Sequence, residues 1–309
     1  MGQVLRAGVI GAGVFGGYHA GKYAALPGVT LAGVYDHHAV HAEALAAKHG
    51  GQVFATEAEL IAAVDIVSIA TPAIHHAEPA IAALEAGRAV YVEKPVATSQ
   101  ENAARIVDLA RSKHLVAACG FLERAGLAAM GLFDIPERPI LLEAVRVGPP
   151  SLRNLDVSVV LDLMIHDLDL ALALSPDEPM AIEADGACVA NRTLDRVDAE
   201  AQFEDGFVAR FRASRIAEGR ERTMRIVYPS GEVRVDFLTR AFTNTTPFPL
   251  AADFADSAAG RDGLGASIGA FVAAVRGEAA APLASVRDGE RALHLALAVE
   301  AAMVQQGLV

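Results

Sequence analysis

Apolar positions along the chain follow two rhythms. Up to residue 120, short runs of apolar residues recur: VLRAGVI (4–10), VTLAGVY (29–35), VDIVSIA (64–70), RAVYV (88–92) and LVAACG (115–120). Such runs, bounded by polar or glycine-containing stretches, predict strands buried on both faces, as in a parallel sheet. Helical stretches separate them. One reaches about Ala25, and Thr56 with Glu59 forms a capping-box pattern ahead of a short helix. Another spans about 74–86, and Thr98 with Glu101 repeats the box before a helix to about Lys113. This alternation predicts a doubly wound parallel sheet over residues 1–120.

Beyond Gly120 the rhythm changes. ILLEAVRVG (140–148) is strand-like, and from about 180 the period becomes two. Val197, Ala199, Ala201 and Phe203 alternate with Asp198, Glu200, Gln202 and Glu204. Phe207, Ala209, Phe211 and Ala213 share one face against Arg210 and Arg212, and Val233, Val235 and Phe237 alternate with Arg234 and Asp236. The pattern predicts a mostly antiparallel open sheet, apolar on one face and charged on the other. Helices over about 264–276 and 286–305 end the chain. The fold class expected is therefore α/β, with a second, α+β domain over 121–309.

The helix predicted at 159–174, VVLDLMIHDLDLALAL, is the natural cover for the apolar face of that sheet. At about 100° per residue, Asp162, His166 and Asp169 fall within roughly 60° of one another, and Asp167 lies off that stripe. Ionisable groups on an apolar helix are costly unless paired or used. His166 is either a core histidine whose ring Asp162 holds, or part of an active site.

Chemistry enters at the first turn. GAGVFG follows a strand and opens a helix, so Gly11, Gly13 and Gly16 match the G-x-G-x-x-G dinucleotide fingerprint, with Val14 and Phe15 in the same cradle. Here the Rossmann fold is the expectation. Asp36 ends the second strand, 25 residues after Gly11. It either accepts from ribose hydroxyls, favouring NAD over NADP, or caps the helix that starts near His38. His37, His38 and His41 raise a metal site, but no fourth ligand stands near, so a solvated helix start is expected and no metal. Thr71-Pro72 and Glu93-Lys94-Pro95 follow strand ends, at the edge where open parallel sheets hold ligands.

Composition narrows the partners. The net charge of −12 argues against a nucleic-acid or anionic-membrane partner. Two isolated cysteines, Cys119 and Cys188, make a disulfide framework or structural zinc improbable and point to a reducing cytoplasm. No signal-peptide pattern or membrane-length apolar run occurs.

Together these residues resemble the Gfo/Idh/MocA oxidoreductase family over most of the chain. The resemblance rests on GAGVFGGYHA, on TPAIHHAEPAIAALEAGRAVYVEKP with His76, Glu78 and its Glu-Lys-Pro motif, and on LDLMIHD. It implies an NAD-dependent dehydrogenase in which Gly11, Gly13, Val14, Phe15, Gly16, Asp36, Thr71, Pro72, His76, Glu93 and Lys94 meet the cofactor. Lys94, His166 and Asp162 would be the catalytic set, with a cis Lys94-Pro95 bond. His166 would be the acid/base, Asp162 would orient its ring, and Lys94 would hydrogen-bond the reacting oxygen and share in the proton transfer. Arg124, Arg146 and Arg153 are candidate contacts to an anionic substrate, or else surface salt bridges. DLMIHDLD and GFLER (120–124) resemble the branch containing UDP-N-acetylglucosamine 3-dehydrogenases. The chain departs from it where Phe121 replaces a His and Ala125-Gly126-Leu127-Ala128 replaces Phe-Asn-Pro-Ala. The expected substrate is a sugar or nucleotide sugar. The rivals are a polyol, free-sugar or diol dehydrogenase of the same family and a non-catalytic NAD(P)-binding sensor. The resemblance also implies a homodimer or homotetramer paired through the open sheet face.

Overall fold

The computed structural model describes residues 4–151 and 155–305. In the first part of the chain, β1 (Leu5–Ile10) leads through α1 (Val14–Ala25) to β2 (Val29–Tyr35), and α2 (Ala39–His49) precedes β3 (Gln52–Val53). Then come α3 (Glu57–Ala63), β4 (Ile66–Ile69), α4 (Ala77–Glu85), β5 (Ala89–Val92), α5 (Gln100–Ser112) and β6 (Ala117–Cys119). The six strands form a parallel sheet in the order β3-β2-β1-β4-β5-β6. Chain direction across the sheet reverses between β1 and β4, which puts the switch point at the first glycine turn.

Local chemistry sets the helix starts. Thr56 accepts from Glu59 N while Glu59 reaches back to Thr56 N, so the expected box at α3 is formed. At α5 the cap moves by one residue: Ser99 Oγ accepts from Asn102 N at 3.3 Å in place of the Thr98/Glu101 pair. The helix expected from residue 74 starts instead as a 3-10 turn, Ala73–His75, before α4.

The second part opens with α6 (Glu123–Met130) and β7 (Leu141–Val147). A π-helical segment, Val160–Met164, runs directly into α7 (Ile165–Leu174). The strands β8 (Pro179–Ala187), β9 (Arg196–Phe203), β10 (Val208–Ser214), β11 (Glu221–Tyr228), β12 (Gly231–Asp236) and β13 (Ala241–Asn244) follow. Short α8 (Ala258–Arg261), then α9 (Gly263–Val275) and α10 (Val286–Gln305), complete the chain. The seven-stranded sheet has the order β13-β12-β11-β7-β10-β9-β8, and β7–β10 is its one parallel pair. Register sorts its faces. Phe211 lies opposite Ala199, Ala213 opposite Val197, and Met224 opposite Ala144, all on the buried face that the Val160–Leu174 helix covers through β7 and β10. On the other face Arg210 pairs Glu200 at 2.8 Å, Arg212 pairs Asp198 at 2.6 Å, and Arg225 pairs Glu143 at 2.8 Å. Each of these pairs is a direct cross-strand neighbour.

The chain forms two compact units: residues up to Leu122 with Leu264–Glu290, and Glu123–Gly263 with the chain from Arg291 onward. Residues 264–290, which hydropathy leaves with the second domain, pack in the first. Ile268, Phe271 and Val272 of α9 join the core formed by Val9, Tyr23, Ile66 and Tyr91. The Tyr91 hydroxyl meets Ser267 Oγ at 2.9 Å, and the Tyr91 and Phe271 rings meet edge-on at 5.8 Å. Ala118 bridges Ser285, so part of the outer edge of β6 is paired. Among the described residues no helix is long and apolar enough to cross a membrane. Phe271→Ala is expected to cost about 3–5 kcal/mol, the usual range for removing a buried ring. Urea unfolding would read this as a lowered midpoint, and an unchanged midpoint would show that α9 is not part of the first unit's core.

Candidate active site

The glycine turn in the first unit is fixed by close approach. Gly11 has φ +95°, and a Cβ there would lie 2.7 Å from the Ala70 and Thr71 backbone. A Cβ on Gly16 would stand 1.8 Å from Gly11 O, so no other residue lets α1 begin there. Gly13 is the reverse case: a Cβ would meet nothing within 4 Å. It caps α1 with no side-chain acceptor and no acid in the first turn, while Val14 and Phe15 are exposed. Helix N–H groups aimed at open space, with positive dipole end and no internal partner, are what a pyrophosphate requires.

Asp36 does two things at the end of β2. One oxygen accepts from Ala12 N at 2.7 Å and the other from His38 N at 2.8 Å, so it braces the glycine turn and caps the chain entering α2. Each oxygen retains a second lone pair, the acceptor capacity that a ribose diol needs. The His38 ring stacks edge-on against His37 and His41 at 5.4 and 5.3 Å. No cluster able to hold a metal ion occurs among the described residues.

Two expected cofactor contacts are occupied elsewhere. His76 is buried, with Nδ1 2.7 Å from Pro95 O and Nε2 2.9 Å from Thr71 O. It ties together the loops leaving β4 and β5, and burial pushes its ring pKa down. Glu93 also points inward, with Oε1 2.9 Å from His19 Nε2. His19 Nδ1 lies 2.9 Å from Ser68 Oγ, which in turn meets Tyr23 Oη at 2.7 Å. Burial raises the Glu93 pKa, but the His19 hydrogen bond and charge outweigh it and hold the carboxyl below its ordinary range. Gly120 makes room for it: a Cβ would stand 2.7 Å from Glu93 Oε2. Sequence reasoning passes over His19, although a histidine one turn into an apolar helix signals a buried polar partner. Thr71 donates to His75 O at 3.0 Å, and Pro72 opens the following 3-10 turn. Lys94 is half-buried just past β5, and its bond to Pro95 is cis, as the family resemblance implies.

In the second unit the polar stripe is reorganised. Asp162 lies in the π-helical segment and His166 in the first turn of α7, so uniform 100° spacing does not describe them. Asp169 leaves the stripe. It is buried and takes a two-point hydrogen bond from Arg124 at 2.6 and 2.8 Å. Asp167 takes another from buried Arg146, at 2.9 Å for each contact. Arg146 Nη1 also donates to Glu123 Oε1 at 2.9 Å, and its guanidinium sits 5.7 Å from the Phe237 ring centre. Arg124 and Arg146 are thus internal partners of carboxylates, where surface or substrate contacts were expected. A buried guanidinium in water-free surroundings must be neutralised by the protein itself. Arg153 lies outside the described residues.

Glu123, part of GFLER but not singled out there, completes the cluster. Its Oε2 is 2.9 Å from His166 Nδ1. The pair is an ion-pair contact that falls outside well-aligned hydrogen-bond geometry. Burial would raise the Glu123 pKa, but the His166 and Arg146 charges hold it well below the ordinary carboxylate range.

A Rossmann unit with an open phosphate cradle, joined to a sheet domain carrying a histidine beside a buried carboxylate, defines an NAD-binding oxidoreductase. The family model for the Gfo/Idh/MocA oxidoreductases, NAD-binding Rossmann fold, matches residues 5–121, and that for the family's C-terminal domain matches residues 151–234. This chain belongs to the Gfo/Idh/MocA family. It is 38% identical over 279 residues, 88% of both chains, to a UDP-N-acetylglucosamine 3-dehydrogenase of Acidithiobacillus ferrooxidans. A solved structure of a UDP-N-acetylglucosamine 3-dehydrogenase from that organism superposes with a TM-score of 0.88 over 98% of each chain, at 36% identity. An inositol 2-dehydrogenase/D-chiro-inositol 3-dehydrogenase of Shouchella clausii is 32% identical over 57% of this chain and 54% of its own. A Bordetella pertussis dehydrogenase solved with NADH and UDP-GlcNAcA reaches a TM-score of 0.87, covering 98% of this chain and 96% of its own. At 20% identity, that likeness is one of fold.

Calorimetric titration is expected to show tighter binding of NADH than of NADPH. Asp36→Ala should narrow the difference, because it removes the 2′-phosphate's repulsive neighbour while loosening the turn at Ala12. Tighter NADPH binding by the unaltered protein would refute the assignment to Asp36.

Proposed function

We propose that this enzyme oxidises a secondary hydroxyl of a nucleotide sugar, the C3 hydroxyl of a UDP-N-acetylglucosamine-like substrate, with NAD as the oxidant. The observation that supports this reading is the likeness to a UDP-N-acetylglucosamine 3-dehydrogenase, which runs through 88% of both chains. NAD, when bound, supplies the acceptor for the hydride that leaves the carbinol carbon. In the proposed mechanism His166 takes the hydroxyl proton, and Lys94 donates a hydrogen bond to the same oxygen as it becomes a carbonyl. Asp162 belongs to the set as the ring-orienting carboxylate implied by the family motif. The retention of all three argues against a sensor, which needs none of them.

A second reading, oxidation of a cyclic polyol, draws on the inositol dehydrogenase likeness and on the departures at Phe121 and Ala125–Ala128. NADH formation with UDP-N-acetylglucosamine, free N-acetylglucosamine and myo-inositol distinguishes the two. Turnover confined to the nucleotide sugar is expected, and turnover of inositol alone would select the rival. Lys94→Ala and His166→Ala should each lower kcat by about 100-fold or more. NADH affinity should stay within a few-fold. Because both serve one proton transfer, the double variant should lose much less than the product of the single losses. Fully multiplicative losses would separate their roles.

We also propose a cytoplasmic homodimer or homotetramer that pairs through the charged face of the seven-stranded sheet. The cross-strand ion pairs there leave a polar, salt-sensitive surface. Light scattering is expected to give a mass above that of the monomer at low salt, and a monomer mass would reject the pairing.

A further inference from the structure

We propose that Glu123 is a second positioning residue for His166, beside the Asp162 of the family motif: anchored through Arg146, its carboxylate holds the imidazole at Nδ1 and supplies the countercharge when the ring takes the substrate proton. This rests on the reading of His166 as the acid/base.

The argument starts from charge. Arg146 is buried and meets both Asp167 and Glu123, so one guanidinium faces two carboxylates. Asp167 alone neutralises it through two hydrogen bonds. Glu123 is therefore the second carboxylate on one guanidinium, with Oε1 fixed on Arg146 and Oε2 directed at His166. A carboxylate buried without compensation is expensive, and a protonated imidazole at 2.9 Å is the available compensation.

The neighbouring charges supply it only in part. On α6, Arg124 pairs with Asp169. On β11, Arg222 stands opposite Arg146 in register, is half-buried, and makes no hydrogen bond to either carboxylate among the described residues. Burial and the Arg146 charge push the Arg222 pKa down and outweigh the pull of Glu123 and Asp167, so Arg222 acts on the cluster only through space. Asp162 on the π-helical segment carries a further carboxylate toward the same end of the helix.

The geometry suits transfer. With Glu123 at Nδ1, Nε2 is the nitrogen on the far side of the ring that takes the proton from substrate. The off-axis approach of the pair is that of a contact free to align when the ring becomes charged, since catalytic hydrogen bonds are often poorly aligned before substrate binds. Arg146, held on both sides, fixes where Glu123 sits.

The test follows the His166 Cε1–H resonance of the full-length protein against pH, with the signal assigned by its loss in His166→Ala. Glu123→Gln is expected to lower the His166 titration midpoint by about one pH unit or more, the usual effect of removing an adjacent opposite charge. The acid limb of the kcat/KM profile should move the same way. Glu123→Asp, which keeps the charge for Arg146 but withdraws it from the ring, should shift the midpoint in the same direction by less. It serves alone if Glu123→Gln does not fold. An unchanged midpoint in either folded variant, or a larger shift from Asp162→Asn than from Glu123→Gln, overturns the proposal. Full turnover by His166→Ala would instead overturn the acid/base reading, while the midpoint would still decide the Glu123 contact.

Discussion

A carboxylate taken out of water must find its compensation inside the protein, at a cost of several kcal/mol if it does not. Each unit meets this constraint with a buried glutamate beside a histidine: Glu93 with His19, and Glu123 with His166. Much of what surrounds the candidate residues follows from it. Glu93 turns away from the ligand edge because His19 lies beneath it, and Gly120 must lack a side chain so that Glu93 Oε2 can fit. Arg146 is buried together with Asp167, with Glu123 largely buried beside them, and β7 and α7 are joined through that cluster.

The cofactor cradle obeys the complementary rule. There the polar groups are left without internal partners, in a place where a ligand can supply them. Gly16 lets the helix start against Gly11 O, Gly13 keeps the approach open, and Asp36 holds the turn through Ala12 N while retaining acceptor capacity. His76 then locks the two neighbouring loops by engaging a carbonyl from each, so that Lys94 projects from a braced segment.

What the sequence made legible was what repeats locally. Strands buried on both faces announce themselves as unbroken apolar runs, and the alternation in 197–213 sorts the two faces of β9 and β10 correctly. The glycine turn was legible because it carries a motif, and Lys94 and His166 were singled out on theirs. Partners distant in the chain were not. Arg146 lies 21 residues from Asp167, and Arg124 lies 45 from Asp169. Nothing in either neighbourhood separates a buried guanidinium from an exposed one. The π-helical segment was equally hidden, because hydropathy records which residues are apolar and not the hydrogen-bond register that turns them. Residues 264–290 went to the wrong neighbour for a similar reason: an apolar helix shows that it needs a core, but not which one. The cap at Ser99 in place of Thr98 is a smaller case, with two adjacent hydroxyls competing for one helix start.

The two glutamate–histidine pairs differ in one respect that separates structure from chemistry. In the first unit the chain of groups closes on itself: Tyr23 Oη meets Ser68 Oγ, Ser68 Oγ meets His19 Nδ1, and His19 Nε2 meets Glu93 Oε1, so both ring nitrogens have internal partners. Both members of the pair are sealed from solvent. In the second unit the geometry is looser. Glu123 keeps one oxygen on Arg146 and presents the other to the His166 ring off axis, and that ring is partly exposed. The same two side chains therefore make a static brace where both ring nitrogens are held inside the protein. Where the ring reaches the surface beside a carboxylate, the pair has what the proposed proton transfer requires.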